Sequence, residues 1–190
     1  MAHTTPLVPA LGGNDTILRK VTMVLFGSLL VGAAAQVSVP MFPVPMTLQT
    51  LAIMLIGLTY GSRLAGATLV TYLGQGAMGF PVFAGGAFGI APFMGPTAGF
   101  LFGFVAMAFV MGWLVERGLS NGLGMVGAAL IATTLLFVPG VLWLYVASPL
   151  DLQGAFMAAA APFVLGELVK VAVAVLIVTG AWAAFKSRLN

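Results

Sequence analysis

The placement of charge, more than any motif, limits what this chain can become. Residues 21–62 carry no charged side chain, and neither do 64–115 or 118–150. A helix needs about 20 mostly apolar residues to cross a bilayer, so each of the first two intervals has room for two helices and a turn. The stretch from Gly118 to Phe185 holds two more, around Asp151 and a Glu–Lys pair. The expected architecture is an all-α integral membrane protein of six transmembrane helices in three hairpins. A polar tail over 1–16 precedes this single membrane domain over 17–190. Composition agrees, since 61% of the 190 residues are hydrophobic and 6% charged, against about 25% charged in an average soluble domain.

The cations then give an orientation. Arg19 and Lys20, Arg63, Arg117 beside Glu116, and Lys186 with Arg188 all fall at hairpin bases or near the termini. Short loops rich in Lys and Arg stay in the cytoplasm, so both termini are expected there. The helices are expected near 17–38, 47–60, 63–78, 94–116, 121–147 and 156–186. The second and third are short for a core about 30 Å thick, and irregular backbone at that depth needs shielding by protein or a cavity. "SVPMFPVPMT" between the first two contains Pro40, Pro43 and Pro45, which excludes regular helix. Pro139-Gly140 is expected to kink the fifth helix. The first helix, with "RK" before it and "AAA" ahead of Gln36, imitates a signal peptide. Removing it would destroy the even span count.

Several features invite readings that the context refuses. The net charge of +3 is spread along the chain and forms no basic patch for nucleic acid. "GQGAMG", Gly74 to Gly79, matches the dinucleotide fingerprint by letter, but no strand precedes it and no acid follows about 20 residues on. There is no P-loop, so the chain is not expected to bind ATP by one; if it takes part in ATP-driven transport, other subunits hydrolyse the nucleotide. No catalytic triad, HExxH element or acid pair is present, and no enzyme activity is expected. Without cysteine there is no disulfide or thiolate site, and His3 reads as a solvated residue of the tail. Gly95, Gly99 and Gly103 recur every four residues, and Ser28 with Gly32 forms a second small pair, a spacing that lets helices approach closely. For the glycine stripe internal packing is favoured; for Ser28 and Gly32 internal packing and contact with a partner protein both stand.

Two segments carry the chemistry. "GFPVFAGGAFGIAPFMGPTAG", Gly79 to Gly99, is a long outer connection between the third and fourth helices. Its glycines expose backbone to a ligand, and Phe83, Phe88 and Phe93 offer apolar walls; the other reading is a loop that only caps the bundle. "GELVK", residues 166–170, places Glu167 and Lys170 on one helix face inside apolar sequence. Each charge near the bilayer centre costs about 2.5–3.5 kcal/mol on insertion scales, so the pair marks either a ligand site or a structural ion pair. As a site, Lys170 would hold a carboxylate and Glu167 would accept from N–H groups of the same solute.

The strings "PVPMTLQTLAIMLIGLTYGSRLAGA", "YLGQGAMGFPVFAGGAFG", "MGPTAGFLFGF" and "APFVLGELVK", in this order and spacing, resemble the BioY family, the biotin-specific substrate-capture subunits of energy-coupling factor (ECF) transporters. The resemblance implies a multi-pass protein of the bacterial cytoplasmic membrane with an outward vitamin pocket, closed by the loops between helices one and two and between three and four. It implies partners: biotin as transported substrate, membrane lipid, a transmembrane coupling subunit and two cytoplasmic ATPases, with no cofactor or metal. It also implies a pocket drawn from Lys170, Glu167, Phe83, Gly85, Gly86, Tyr72 and Gln49, and a coupling contact at Ser28 and Gly32. Biotin offers two ureido N–H donors and a carboxylate. The family's usual acid at 167 is aspartate in "PGD", where this chain has "LGE". Some relatives carry Asn in "VFANG" where this chain has Gly85. Another small anionic vitamin, or a membrane scaffold or enzyme with a purely structural pair, are the alternatives.

Overall fold

The computed structural model describes residues 16–187. His3, the tail up to residue 15 and Arg188 lie outside the described residues. Seven α-helices occur among the described residues: α1 (Ile17–Gln36), α2 (Gln49–Tyr60), α3 (Ser62–Ala77), α4 (Ala98–Glu116), α5 (Gly122–Ala147), α6 (Leu152–Ala159) and α7 (Val164–Ser187). Their starts follow local chemistry. Thr16 Oγ1 accepts from Arg19 N, Asn121 Oδ1 from Gly124 N and Asp151 Oδ1 from Gly154 N, each a side chain satisfying an N–H that the first turn leaves open.

Three boundaries differ from the expected ones. The helix expected over 156–186 is two, α6 and α7, separated by a 3₁₀ turn at Ala161–Phe163. Pro162 lacks an N–H and pushes the residue before it from helical geometry, and Ala160 already has φ −126°. Pro96 likewise delays α4 to Ala98. The proline-rich loop is not purely irregular: β1 (Ser38–Val39) pairs antiparallel with β2 (Met46–Thr47), a small ribbon in an otherwise helical chain.

Among the described residues, α1, α4, α5 and the run Leu152–Ala184 are long and apolar enough to cross a membrane. With 12 and 16 residues, α2 and α3 reach only about 18 and 24 Å at 1.5 Å per residue. Gly61 alone joins them, with φ 85°. The ends where sequence placed the charges converge. Glu116, closing α4, accepts from Ser62 N at 2.8 Å and Ser62 Oγ at 2.7 Å, which caps α3 with a carboxylate at its positive end. Tyr60, closing α2, shares a shallow groove with Arg19 and Thr22 of α1.

The glycine stripe is internal. A Cβ on Gly99 would strike the Pro139 carbonyl and lie 2.6 Å from Trp143 Cβ, and one on Gly103 would lie 2.8 Å from Leu136 Cδ1. The stripe therefore lets α4 lie against α5, which runs as one helix through Pro139. Gly95 precedes α4, and its carbonyl accepts from Trp143 Nε1 at 2.9 Å.

Candidate functional site

Glu167 and Lys170 lie in the first turns of α7, 5% and 7% exposed. Gly166 beside them lets the ribbon approach, since a Cβ there would meet Met46 Sδ at 2.9 Å. This contact brings Thr47 over α7, while α2 brings Thr50. The ammonium of Lys170 donates to Glu167 Oε1 at 2.7 Å, to the Thr47 carbonyl at 2.7 Å and to Thr50 Oγ1 at 2.9 Å. A lysine has three donors, and all three are engaged. Thr50 Oγ1 in turn donates to Glu167 Oε1 at 2.8 Å. Glu167 Oε2 is buried with no hydrogen-bond partner among the described residues.

The cluster closes one side of a cavity of about 270 Å³. The ribbon loop contributes Val44, Pro45 and Thr47, α2 contributes Gln49 and Thr50, and the connection between α3 and α4 contributes Phe83, Ala84, Ala87 and Pro92. Phe100, Leu101 and Phe104 come from α4, Leu136 and Phe137 from α5, and Phe163 from the turn before α7. Phe100, Phe137 and Phe163 form a ring triangle with centroids 6.2–6.5 Å apart. Apart from the ion pair, Thr47, Thr50, Gln49 and Thr97, the lining is apolar and suits a small, largely apolar solute bearing a strongly polar end.

Of the residues singled out from sequence, Lys170, Glu167, Phe83 and Gln49 line this cavity. Tyr72 stands one layer behind: its ring is fully buried, packs edge-on against Phe83 at 5.4 Å, and its hydroxyl accepts from Gln49 Nε2 at 2.7 Å and donates to the Val82 carbonyl at 3.1 Å. Gly85 and Gly86 do not line the wall but shape it, since φ 68° and 73° at consecutive residues turn the chain between Ala84 and Ala87. Phe93 supports Phe83 from outside at 5.5 Å, and Phe88 is 59% exposed. Ser28 and Gly32 face inward on α1. Ser28 is fully buried, and a Cβ on Gly32 would lie 3.3 Å from Val82 Cβ, so in this arrangement both serve internal packing.

The BioY family model matches residues 4–187. The chain belongs to the BioY family. It is 37% identical to a biotin transporter BioY of Rhodobacter capsulatus, over 82% of this chain and 88% of that one. It is 38% identical to a biotin transporter BioY of Thermotoga maritima, over 80% and 89%. In fold it is similar to a crystal structure of the S-component for biotin from an ECF-type ABC transporter, with TM-score 0.80 at 23% identity, covering 88% of this chain and 92% of that one.

In this BioY-family chain several wall residues escaped sequence reasoning. Thr47 and Thr50 lie inside the "PVPMTLQT" string, and only the fold brings them within reach of a lysine 123 and 120 residues away. Phe100, Phe104, Phe137 and Phe163 read as ordinary membrane apolar residues, and nothing local separates a pocket phenylalanine from one facing lipid. "GQGAMG" finds its role in packing at the end of α3: Gly76 lies under the Phe83 ring, 2.6 Å from Cε1 to a would-be Cβ. Gly85 sits in left-handed space, where Asn is the best tolerated residue after glycine.

Proposed function

We propose that this BioY-family chain binds biotin and takes part in its uptake as the substrate-capture subunit of an ECF-type transporter. The observation that carries the reading is the buried Glu167–Lys170 pair in the wall of a largely apolar cavity, with one carboxylate oxygen left without a partner among the described residues. The 2.7 Å contact bears on how a solute is held. The ureido ring and carboxylate of biotin are at opposite ends of its skeleton, so a joined pair meets one end of the extended molecule. An acceptor and a donor side by side match the N–H and C=O edge of a cyclic urea, and the pair is neutral overall, as is the urea. The ureido ring therefore lies against Glu167 and Lys170, with the bicycle among the phenylalanines. Gln49 and Phe83 complete that pocket, backed by Tyr72 and shaped by Gly85 and Gly86.

A second reading has Lys170 hold the carboxylate, because among the described residues it is the only cation in the cavity wall. A titration of the detergent-purified protein with biotin and with biotin amide separates the two. Binding of both within a few fold supports the ureido assignment, loss of only the amide supports the carboxylate, and binding of neither removes biotin as the substrate.

The topology belongs to the same proposal: one membrane domain over 17–190 in which α1, α2, α3, α4, α5 and α7 make six crossings, α6 is a short cap, and both termini face the cytoplasm of a bacterial cell. A transmembrane coupling subunit and two ATPases supply the energy. For Ser28 and Gly32 to touch that subunit, α1 would have to turn its inner face outward; its exposed Leu25, Phe26 and Leu29 need no such rotation.

A further inference from the structure

Gln36, the last residue of α1, is polar at the end of an apolar helix and is not in the cavity wall, yet both of its side-chain groups are committed. Its Nε2 donates to the Phe83 carbonyl at 3.1 Å and to the Gly32 carbonyl at 3.0 Å, and its Oε1 accepts from Gly86 N at 3.0 Å, an N–H that the turn itself shares with the Phe83 carbonyl at 3.1 Å. The donor and the acceptor thus grip the two ends of the turn that carries Phe83 and Ala84 into the cavity. The left-handed Gly85 and Gly86 present that carbonyl and that N–H to one amide.

Two neighbouring contacts make the grip consequential. Gly32, one turn earlier, leaves room for Val82 to lie on α1, while Tyr72 holds the Val82 carbonyl from the α3 side. The same end of α1 runs directly into the ribbon loop, where the Val37 carbonyl accepts from Leu48 N at 3.0 Å and Thr47 reaches Lys170. The Gln36 side chain therefore fixes the Phe83–Gly86 turn to the end of α1, the same end from which the ribbon loop departs.

We infer that Gln36 is a positioning residue for the solute site, latching the Phe83–Gly86 turn to α1 and thereby setting how fast the bound solute leaves. The link from turn to solute rests on the biotin reading above; the latch itself does not. Two hydrogen bonds between elements are at stake, and losing them should raise the dissociation rate about tenfold.

The test uses the full chain in detergent with Gln36→Ala and Gln36→Glu. Amide exchange is followed over 82–89 without solute, and biotin dissociation is followed separately. Gln36→Ala leaves Gly86 N only the Phe83 carbonyl of its own turn, and with the turn no longer held to α1 exchange at Gly86 is expected to speed up and the dissociation rate to rise about tenfold. Gln36→Glu keeps an acceptor for Gly86 N while losing the donor to Phe83, so Gly86 stays protected although dissociation still accelerates. A general loss of packing would not separate the two variants in this way. Exchange at Gly86 unchanged in Gln36→Ala overturns the latch, and faster exchange with unchanged dissociation overturns its role in the site. If the wild-type chain fails to bind biotin, the functional proposal falls, while the exchange measurement still decides whether the latch exists.

Discussion

Glu167 Oε1 and Lys170 Nζ stand 2.7 Å apart, less than a helical turn from each other and both out of solvent. Removing one member of such a pair strands the other as an uncompensated charge, which costs about 3–5 kcal/mol. Lys170→Met is therefore expected to lower the unfolding temperature sharply, whereas Lys170→Met combined with Glu167→Gln recovers most of it. Both variants should bind biotin more weakly by at least about tenfold, the worth of a hydrogen bond to a charged group. Thermal unfolding and calorimetric titration measure the two effects separately, and a double variant with wild-type affinity would reduce the pair to a structural ion pair.

Thr50 is the smaller partner on which the pair depends, accepting from Lys170 and donating to Glu167. Thr50→Val keeps the shape and removes both bonds, so about 2–4 kcal/mol is expected between stability and binding. Thr50→Ser keeps the hydroxyl and should stay within a few fold of wild type in biotin affinity. Equal behaviour of Val and Ser at this position would show that the hydroxyl does not hold the charges.

What was legible in sequence follows from the range of the forces involved. Charge-free intervals and prolines act within their own segments, so most of α1–α5 could be placed to within a few residues, and GELVK stood out because a charge in an apolar run is locally improbable. The break at Ala161–Phe163 was missed although Pro162 signals it, because the apolar run continues across the turn. Thr50, Phe100 and Phe163 were missed for a different reason: each acquires its role from partners on other helices. For Gly32 the close neighbour is Val82, in a loop 50 positions away, which is why spacing alone left packing and partner contact both open.

Two glycines of one string should respond oppositely to alanine. Gly76 is buried under the Phe83 ring, whereas a Cβ on Gly74 would meet nothing within 4 Å. Gly76→Ala pushes Phe83 off the cavity wall, an overpacking cost of about 1–3 kcal/mol, and is expected to weaken biotin binding as well as stability. Gly74→Ala only restricts the unfolded chain within a helix and should be neutral or stabilising by about 0.5–1 kcal/mol. Unfolding temperatures of the two variants, compared side by side, check the sign of each.

Gly85 separates a backbone requirement from a side-chain contribution. Its φ of 68° and ψ of 22° lie in the left-handed region, and no heavy atom lies within 4 Å of a would-be Cβ. Space therefore permits a side chain, and conformation alone selects among them. Gly85→Val places a β-branched residue where L residues lose about 1–2 kcal/mol or more, so the turn is expected to open and both stability and affinity to fall. Gly85→Asn meets the same demand at little cost and adds a donor and an acceptor beside Phe83 and Ala84, at the rim of the cavity. Its unfolding temperature should match wild type, and its affinity for biotin should be equal or higher. If Asn proves as damaging as Val, the turn requires glycine for a reason other than its dihedral angles, and the steric account of this loop fails.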